Sequence, residues 1–498
     1  MNSENQQIEK DSSRQSEVLE LLKPTSLPEA GFQSYEMLSN DATHQKADFL
    51  DGKTRNPQLR YPKLENDLSE MDKGILHLAE AIEKLEHLVS EPDTRRILQE
   101  TLGYRMDEMD FIKILAQLNY AADRGDAEVA NELASKAKSL SEQLYGMPQE
   151  EIVTAAFNTV WNEIDGKEFI GKAAQLRDDL IYGFTSAEGL TVSPLRRGDG
   201  SEMVLPEYGE AVAWAGEYFE EKNADIEALL QNFWDEKAEE YGEEYACDPN
   251  DIIEAFQRVI ELRDPDGTSG VSVIPSQGKT ALSWETPLMA VQVGTERQPI
   301  PTSRMLFTRN HHEFGHHGQK AIDGLKTTLP VLGTGLYTKD SEYLTFEEGF
   351  ATVIEAGMDG EQAQWSGGKI NYYLGVALAA EGDDFRSVFE KTWRYNLLQK
   401  TDLGDVTEED IAKARNTAYT NCVRIFRGTP PDLKEKTGCT TIVTYNKDLA
   451  YLAGAIKAIQ YVDESYRDRD YTMLDFAMKG KFDPTNPTQR DIALRYTS

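Results

Sequence analysis

Four of the seven histidines of this chain lie within nine residues, in the run Asn-His-His-Glu-Phe-Gly-His-His-Gly at positions 310–318. Two histidines on one side of a helix can bind one Zn²⁺, and a glutamate beside the first can take a proton from the water that the metal activates. We therefore predict one Zn²⁺ per chain, with Glu313 as the general base. A surface helix with a chance cluster of histidines is the alternative interpretation.

Two spacings compete for the second histidine ligand after His312. His316 is four residues further on, about 40° around an ideal helix, whereas His317 is five residues on, about 140° around it. A regular helix therefore favours His316. His317 requires a π-bulge, a distortion that is frequent at functional sites and that Gly315 would tolerate.

A catalytic zinc site takes a third protein ligand and leaves the fourth position for water. The segment Leu344–Ala351 offers Glu347 and Glu348, which lie 30 and 31 residues after His317. Adjacent residues point about 100° apart on a helix, so only one of the two can be the ligand. Acidic residues are also favoured in the first turn of a solvated helix, but the histidine cluster before them favours a metal ligand here.

These segments resemble the family of microtubule-associated tyrosine carboxypeptidases (MATCAP), which includes bacterial proteins named for a QEGLA motif. The family patterns H-E-x-G-T-H and E-G-L-A correspond to His312–His317 and Glu348–Ala351. The matched Gly315 sets the register, so the resemblance implies His317 as the second ligand and Glu348 as the third. The metal set that it implies is thus His312, His317 and Glu348.

The resemblance covers about residues 270–460 and departs from the family pattern at three positions. His316 stands where the family has Thr, Glu347 where it has Gln in some members, and Phe350 where it has Leu. Residues 422–428 and 445–454 are similar to the family blocks R-x-[YF]-R-G and T-K-D-x-x-Y-L-x-G.

The same blocks suggest the residues that bind substrate. A carboxypeptidase needs a group that binds the free terminal carboxylate, and arginine does so through paired, charge-assisted hydrogen bonds. Arg424 and Arg427 are three residues apart and would share one side of a helix that ends at Gly428. Lys447 and Tyr451 are four residues apart and can face the same pocket, where the tyrosine could donate to a developing oxyanion. Salt bridges and helix-end contacts are the alternative roles for these four residues.

We therefore predict a zinc-dependent metallocarboxypeptidase that removes one residue from the C-terminal tail of a peptide or protein. The resemblance implies that this residue is tyrosine or glutamate. A zinc endopeptidase would share the metal site but needs no carboxylate-binding group. A non-catalytic metal-binding regulatory protein is the third possibility, and Glu313 argues against it because a structural site needs no base.

The elements that must position these residues are mainly helical. Apolar residues recur at spacings of three and four from about 63 to 165, and a turn cluster at Arg263–Gly267 changes the pattern. Two short β-branched runs, Val271–Pro275 and Met289–Val293, predict strands. The zinc helix is then expected to begin at an N-cap of Thr302 or Ser303.

These patterns predict a mainly α fold with a small β-sheet (α+β) and three segments. Residues 1–60 are expected to be largely disordered or loosely docked, because they are polar and rich in Ser, Asn, Gln and Asp. Residues 61–265 form a helical region. Residues 266–498 form a zinc-peptidase catalytic domain, with a short sheet beside the zinc helix.

The charge and the cysteine content of the chain limit its expected binding partners and its expected compartment. The chain has 52 basic and 87 acidic residues, for a net charge of −35, which argues against nucleic acid and anionic membranes as partners. Its three cysteines form no CxxC pair, which is typical of a reducing compartment, so we expect a cytoplasmic protein. Neither a signal peptide nor a transmembrane segment is predicted.

Overall fold

A computed structural model describes residues 17–18, 21, 37–38, 45–66, 68–185, 189–198, 203–207, 209–242, 244–339, 341–360, 368–401 and 405–497. Helices make up 68% of the described residues and strands 6%. The prediction of a mainly helical α+β fold is therefore confirmed. Among these residues, no helix combines the length and the apolar composition needed to cross a bilayer.

The helices begin and end at signals that the sequence carries. Pro92 starts the longest of the described helices, and the Glu91 side chain accepts from the backbone N–H groups of Asp93 and Thr94. Asp248 and Asp251 form a capping box at the start of another helix. From residue 45 onward, the α-helices among the described residues are, in chain order, α1 (Lys46–Leu50), α2 (Pro62–Asn66), α3 (Leu68–Leu88), α4 (Pro92–Asp123), α5 (Ala127–Tyr145), α6 (Glu150–Asp165), α7 (Gly171–Tyr182), α8 (Glu210–Lys222), α9 (Ala224–Tyr241), α10 (Pro249–Arg263), α11 (Ser303–Asn310), α12 (Gln319–Leu325), α13 (Val331–Thr334), α14 (Leu344–Asp359), α15 (Gly368–Ala380), α16 (Phe385–Lys400), α17 (Glu408–Ile425), α18 (Leu433–Thr437), α19 (Leu449–Asp468), α20 (Tyr471–Ala477) and α21 (Pro487–Tyr496).

The described strands form three small sheets, of which the largest lies beside the histidine run. The strands are β1 (Phe184–Thr185), β2 (Thr191–Val192), β3 (Ser272–Ser276), β4 (Leu282–Glu285), β5 (Ala290–Gly294), β6 (Tyr337–Thr338) and β7 (Ser341–Glu342). In the three-stranded sheet the order is β3-β5-β4, with β3 parallel and β4 antiparallel to β5. The two predicted strands correspond to β3 and β5, each shifted by one residue. Edge strand β4 was not predicted.

The helix that carries Glu347 and Glu348, α14, is packed closely on both sides. A Cβ on Gly349 would overlap the backbone of Gly454 in α19, and a Cβ on Gly216 in α8 would overlap that of Gly357. Glycine at these positions lets the helix backbones approach. The position of α14, and hence of its two glutamates, is fixed by these contacts.

One main hydrophobic core includes buried side chains from both sides of residue 265. For example, Phe219 of α8 packs against Phe350 of α14, with ring centroids 6.0 Å apart. The predicted helical region 61–265 and the predicted catalytic segment 266–498 thus share buried surface. The helical region is therefore able to support the site directly.

Most of the predicted disordered segment, residues 1–60, lies outside the described residues, but residues 45–60 are described and docked. Phe49 is fully buried, and its ring lies 4.9 Å from that of Phe389. The Arg386 guanidinium stacks 3.5 Å from the Phe49 ring centroid. This short stretch is therefore held more tightly than its polar composition suggested.

Candidate metal centre and cavity

The histidine run lies in a helix that changes geometry along its length. Ser303–Asn310 is α-helical, His311–Gly318 forms a π-helix, and Gln319–Leu325 is α-helical again. The Thr302 side chain accepts from the backbone N–H of Met305, which confirms it as the N-cap. The i→i+5 bonding of a π-helix brings residues five apart towards one side. The distortion that a His312–His317 pair requires is therefore present, and the regular helix that would favour His316 is not.

His312, His317 and Glu348 converge. One ligand atom from each lies within 4.8 Å of the others, and the two imidazole centroids are 5.3 Å apart. Glu348 comes from α14, which packs against the π-helix. Two imidazole nitrogens and one carboxylate oxygen form a donor set that suits zinc, and all three residues line a cavity that leaves a side open.

Each of the two histidines has its Nδ1 atom engaged by a carboxylate. His312 Nδ1 lies 2.7 Å from Glu355 Oε2, and His317 Nδ1 lies 2.9 Å from Glu347 Oε1. Such contacts fix the ring and leave Nε2 for a metal. Burial lowers the pKa of His312, but the Glu355 hydrogen bond and the nearby carboxylates outweigh it and raise the pKa to about 9. A metal ion at Nε2 would take the place of a proton there.

A second group, His316, His317 and Glu347, also lies close together. Its charges argue against a metal there, because the Glu347 carboxylate already contacts two buried ammonium groups, Lys320 at 2.5 Å and Lys481 at 3.1 Å. Burial raises the pKa of Glu347, but these ammonium groups and His316 outweigh it and hold the pKa well below its usual range. The negative charge of Glu347 is thus already compensated by two lysines.

His316 faces that carboxylate instead of the predicted metal ligands. Its Nε2 lies 3.6 Å from Glu347 Oε2, on the helix that also carries Glu348. Burial lowers the pKa of His316 well below its usual range, which favours a neutral ring. This is the orientation expected if His317 is the ligand.

Glu313, the predicted base, lines the cavity and is held by edge strand β4. Its Oε2 accepts from the backbone N–H of Trp284 at 2.7 Å. Burial raises the pKa of Glu313, with the charges of His312 and His317 and the Trp284 bond opposing it. A raised pKa brings a carboxylate closer to the range in which it exchanges protons near neutral pH. The apolar–polar alternation of Leu282–Glu285 was the signal that could have predicted β4.

All eight residues predicted for the site line the same cavity, whose volume is about 1060 Å³. They are His312, Glu313, His317, Glu348, Arg424, Arg427, Lys447 and Tyr451. Up to 139 residues separate them in sequence, so local structure alone does not place them together. The cavity gathers the candidate metal ligands, the candidate base and the candidate carboxylate-binding groups.

Arg424 is positioned by a buried carboxylate. Its guanidinium makes two hydrogen bonds to Asp448, at 2.5 and 3.0 Å, and Asp448 is only 1% exposed. The same guanidinium donates to the Tyr451 hydroxyl at 3.1 Å. This arrangement holds the cation and the hydroxyl side by side at the cavity wall.

Arg427 does not share a helix side with Arg424, contrary to the prediction. Helix α17 ends at Ile425, and Gly428 has a positive φ of 77° just beyond it. The chain therefore turns before Arg427, which reaches the cavity from the turn. Lys447 lies in a short 3₁₀ turn, 3.5 Å from Glu108 of α4.

The cavity lining carries seven Lys or Arg side chains and five glutamates, a small excess of positive charge in a strongly acidic chain. Four further cations were not predicted as site residues: Lys63 comes from α2, Arg105 comes from α4, Lys279 precedes β4, and Lys481 follows α20. No local motif marks them, because each reaches the cavity through tertiary packing. Glu355 was missed for the same reason, although its spacing of seven residues from Glu348 puts both on one side of α14.

No protein-family model, curated protein or solved structure matches this chain. The similarity to the tyrosine carboxypeptidase family therefore rests only on the motifs at residues 312–317, 348–351, 422–428 and 445–454.

Proposed function

We propose that this protein is a zinc-dependent carboxypeptidase that removes a residue from the C-terminal tail of a peptide or protein. One observation carries the proposal: the His312, His317 and Glu348 donor set, Glu313 and the cationic residues line a single cavity. A metal-binding protein without catalysis would need the donor set alone. The base and the cavity support a reaction.

Zinc fits the donor set. His312 and His317 each have Nδ1 occupied by a carboxylate, so both can present Nε2, and Glu348 adds one oxygen. Bound zinc would polarise the scissile carbonyl and lower the pKa of water. The residues of this chain supply the remaining steps.

Glu313 moves the proton in this proposal. Its carboxylate lines the cavity beside His312 and His317, and the Trp284 N–H holds one of its oxygens. The other oxygen can accept a proton from the attacking water. The same group then returns that proton to the nitrogen of the leaving amino acid, so the base becomes the acid in the second half of the reaction.

Arg424 is the strongest candidate for binding the terminal carboxylate. Asp448 fixes its guanidinium, which reduces the entropy lost when a substrate carboxylate binds. Arg427 offers a second cation on the same cavity. Tyr451 accepts from Arg424 and could donate its own hydrogen to the developing oxyanion.

The substrate is an extended tail. Edge strand β4 lines the cavity and could pair with the backbone of such a tail. The small excess of cationic side chains in the cavity lining favours a tail that carries acidic residues. By the resemblance above, the residue removed is tyrosine or glutamate. Three free, buried cysteines agree with a cytoplasmic setting.

A zinc endopeptidase is the second candidate, and the size of the cavity favours it. A volume of about 1060 Å³ and an edge strand would also accommodate a chain that continues past the cleaved bond. The two candidates differ in one requirement, because only the carboxypeptidase needs the free carboxylate.

The test is a digest of a peptide library by the zinc-loaded protein, read by mass spectrometry. Each sequence is supplied with a free and with an amidated C-terminus, and the chelator-treated protein serves as the control. We expect loss of single C-terminal residues from the free-acid peptides only. Cleavage at internal bonds of amidated peptides would establish the endopeptidase instead, and no cleavage by the zinc-loaded protein would contradict both.

A further inference from the structure

A cluster of buried charged side chains surrounds the Nδ1 side of His317. It consists of Glu347, Lys320 and Lys481, whose side chains are 1%, 0% and 1% exposed. Charged groups are rarely buried to this extent unless they are paired, because their desolvation is costly. The cluster lies beside the proposed zinc ligands, and the steps described above use only its contact with His317 Nδ1. They give no role to the two lysines.

Both carboxylate oxygens of Glu347 have nitrogen neighbours, Oε1 through two hydrogen bonds and Oε2 through an ion pair without hydrogen-bond geometry. Oε1 lies 2.9 Å from His317 Nδ1 and 3.1 Å from Lys481 Nζ, while Oε2 lies 2.5 Å from Lys320 Nζ. A carboxylate held at both oxygens cannot turn freely about its last bond. The acceptor that faces His317 is therefore fixed in direction.

The two lysines are themselves anchored by different parts of the fold. Lys320 belongs to α12, which continues directly from the π-helix. Lys481 lies after α20, and its backbone is bound on both sides: its N–H donates to Leu332 O at 2.6 Å and its carbonyl accepts from Leu336 N at 2.9 Å. The cluster thus ties the C-terminal part of the chain to the histidine run.

We infer that Glu347 is the positioning residue for His317. It accepts the Nδ1–H and thereby turns Nε2 towards Glu348 and His312, while Lys320 and Lys481 hold its carboxylate in place. Glu347 does not bind the metal itself in this arrangement. This inference rests on the proposed metal site, and the experiment below separates the failure of one from the failure of the other.

The two lysines require an acceptor at each side-chain oxygen position of residue 347. A glutamine there has one acceptor and one donor at its tip, where glutamate has two acceptors. If its oxygen faced His317, its NH₂ group would face the Lys320 ammonium. If it turned around, its NH₂ group would face the Nδ1–H of His317. Glu347→Gln should therefore disturb His317, and removing Lys320 as well should relieve the conflict.

The experiment measures zinc affinity by competition with a chromophoric chelator. The variants are Glu347→Gln, the double variant Glu347→Gln/Lys320→Met, and Glu390→Gln as a matched control. Glu390 is a buried carboxylate held between Arg386 at 3.1 Å and Arg394 at 2.5 Å, outside the proposed site. The Glu390→Gln control therefore shows how the same substitution affects a buried ion cluster that does not position a metal ligand.

We expect Glu347→Gln to weaken zinc binding about 10–100-fold, the usual effect of losing a carboxylate behind a histidine ligand. In the double variant the amide can present its oxygen to His317, so its affinity should return to within about threefold of the wild type. The Glu390→Gln control should also stay within about threefold. Nitrogen-resolved NMR of the zinc-loaded wild type should show His317 with a proton on Nδ1 and the metal on Nε2.

Three results would overturn the positioning role. One is a Glu347→Gln affinity equal to that of the Glu390→Gln control. Another is a double variant that binds zinc as weakly as Glu347→Gln. The third is a wild-type spectrum with the metal on Nδ1 of His317, which decides the matter even if a variant does not fold. A wild-type chain that binds no zinc would instead contradict the proposed function.

Discussion

At the scale of single residues, the chemistry depends on which nitrogen each histidine presents to the cavity. Glu355 and Glu347 engage the Nδ1 atoms of His312 and His317, so both rings can offer Nε2. His316 is the immediate neighbour of His317, yet it faces a buried ion cluster. Residue types and spacing were enough to name the candidate ligands, but not to choose between these two neighbours.

The first prediction separates His317 from His316. His317→Ala removes a ligand and should abolish stoichiometric zinc binding, since the remaining pair cannot complete the donor set. His316→Ala should keep about one zinc per chain, although the cavity that it leaves lowers stability by roughly 1–3 kcal/mol. Metal analysis of both purified variants checks this. Zinc retained in His317→Ala and lost in His316→Ala would mean that the other register is used.

The second prediction concerns the terminal carboxylate. If Arg424 binds it, Arg424→Ala should reduce kcat/KM on free-acid peptides by about 10²-fold or more, because the substrate carboxylate is left without its charged partner. Cleavage of amidated peptides, if any is detectable, should change much less. Arg427→Ala provides the comparison at the same cavity wall. An equal loss on both kinds of peptide in both variants would assign the arginines a structural role only.

At the level of secondary-structure elements, three local features orient the candidate site residues. They are the π-helix His311–Gly318, edge strand β4 and the close packing of α14. The sequence predicted the first as the condition for a His312–His317 pair, because five-residue spacing does not fit a regular helix. It did not predict β4, although the four residues of this strand alternate between apolar and polar side chains. The predicted helix around Arg424 extended to Gly428, but the observed helix ends at Ile425. The chain therefore turns before Arg427.

The third prediction tests the packing of α14. Gly349→Ala places a Cβ against the backbone of Gly454, so α14 and α19 must move apart. We expect a stability loss of about 1–3 kcal/mol and weaker zinc binding, because Glu348 and Glu347 precede this glycine directly. Gly103→Ala is the control, since a Cβ there meets nothing within 4 Å. It should be neutral or stabilising by up to about 1 kcal/mol. Similar losses in both variants would remove the role given to close packing.

At the scale of the whole molecule, helices far apart in sequence build one cavity. Arg105 comes from the helical region and Lys481 from near the C-terminus, and both line the cavity with the histidines. The sequence predicted eight of the lining residues, because they lie in motifs with recognisable spacing or with similarity to the family patterns. The remaining cations could not be read from the sequence, since their place depends on how whole helices pack. The same packing seats residues 45–60 against α16.

The fourth prediction concerns this N-terminal contact and its dependence on pH. Asp384 caps α16 through Ser387 and accepts from Arg55 at 2.7 Å. Burial raises the pKa of Asp384, but the bonds from Ser387 and Arg55 outweigh it and lower the pKa below its usual value. Because the pKa is lower in the folded state, the Asp384 carboxylate stabilises the fold fully above the unfolded-state pKa of about 3.9. That stabilisation is lost as the pH falls through the folded-state pKa.

We therefore expect Asp384→Ala to lower the free energy of unfolding by about 1 kcal/mol at pH 7. The difference from the wild type should shrink as the pH is lowered from about 5 towards 2. Urea unfolding at several pH values measures it. A difference that stays constant over this range would show that the charge of Asp384 contributes nothing.

The turnover of a free-acid peptide by zinc-loaded Glu313→Gln, compared with the wild type, directly tests the proposed function of this site. The substitution keeps the shape of the side chain and removes the base. We predict that the variant retains about one zinc per chain and that turnover falls at least ~10²-fold, the scale typical of a general base. A zinc-loaded variant that removes C-terminal residues at nearly the wild-type rate would contradict the proposed function of this site.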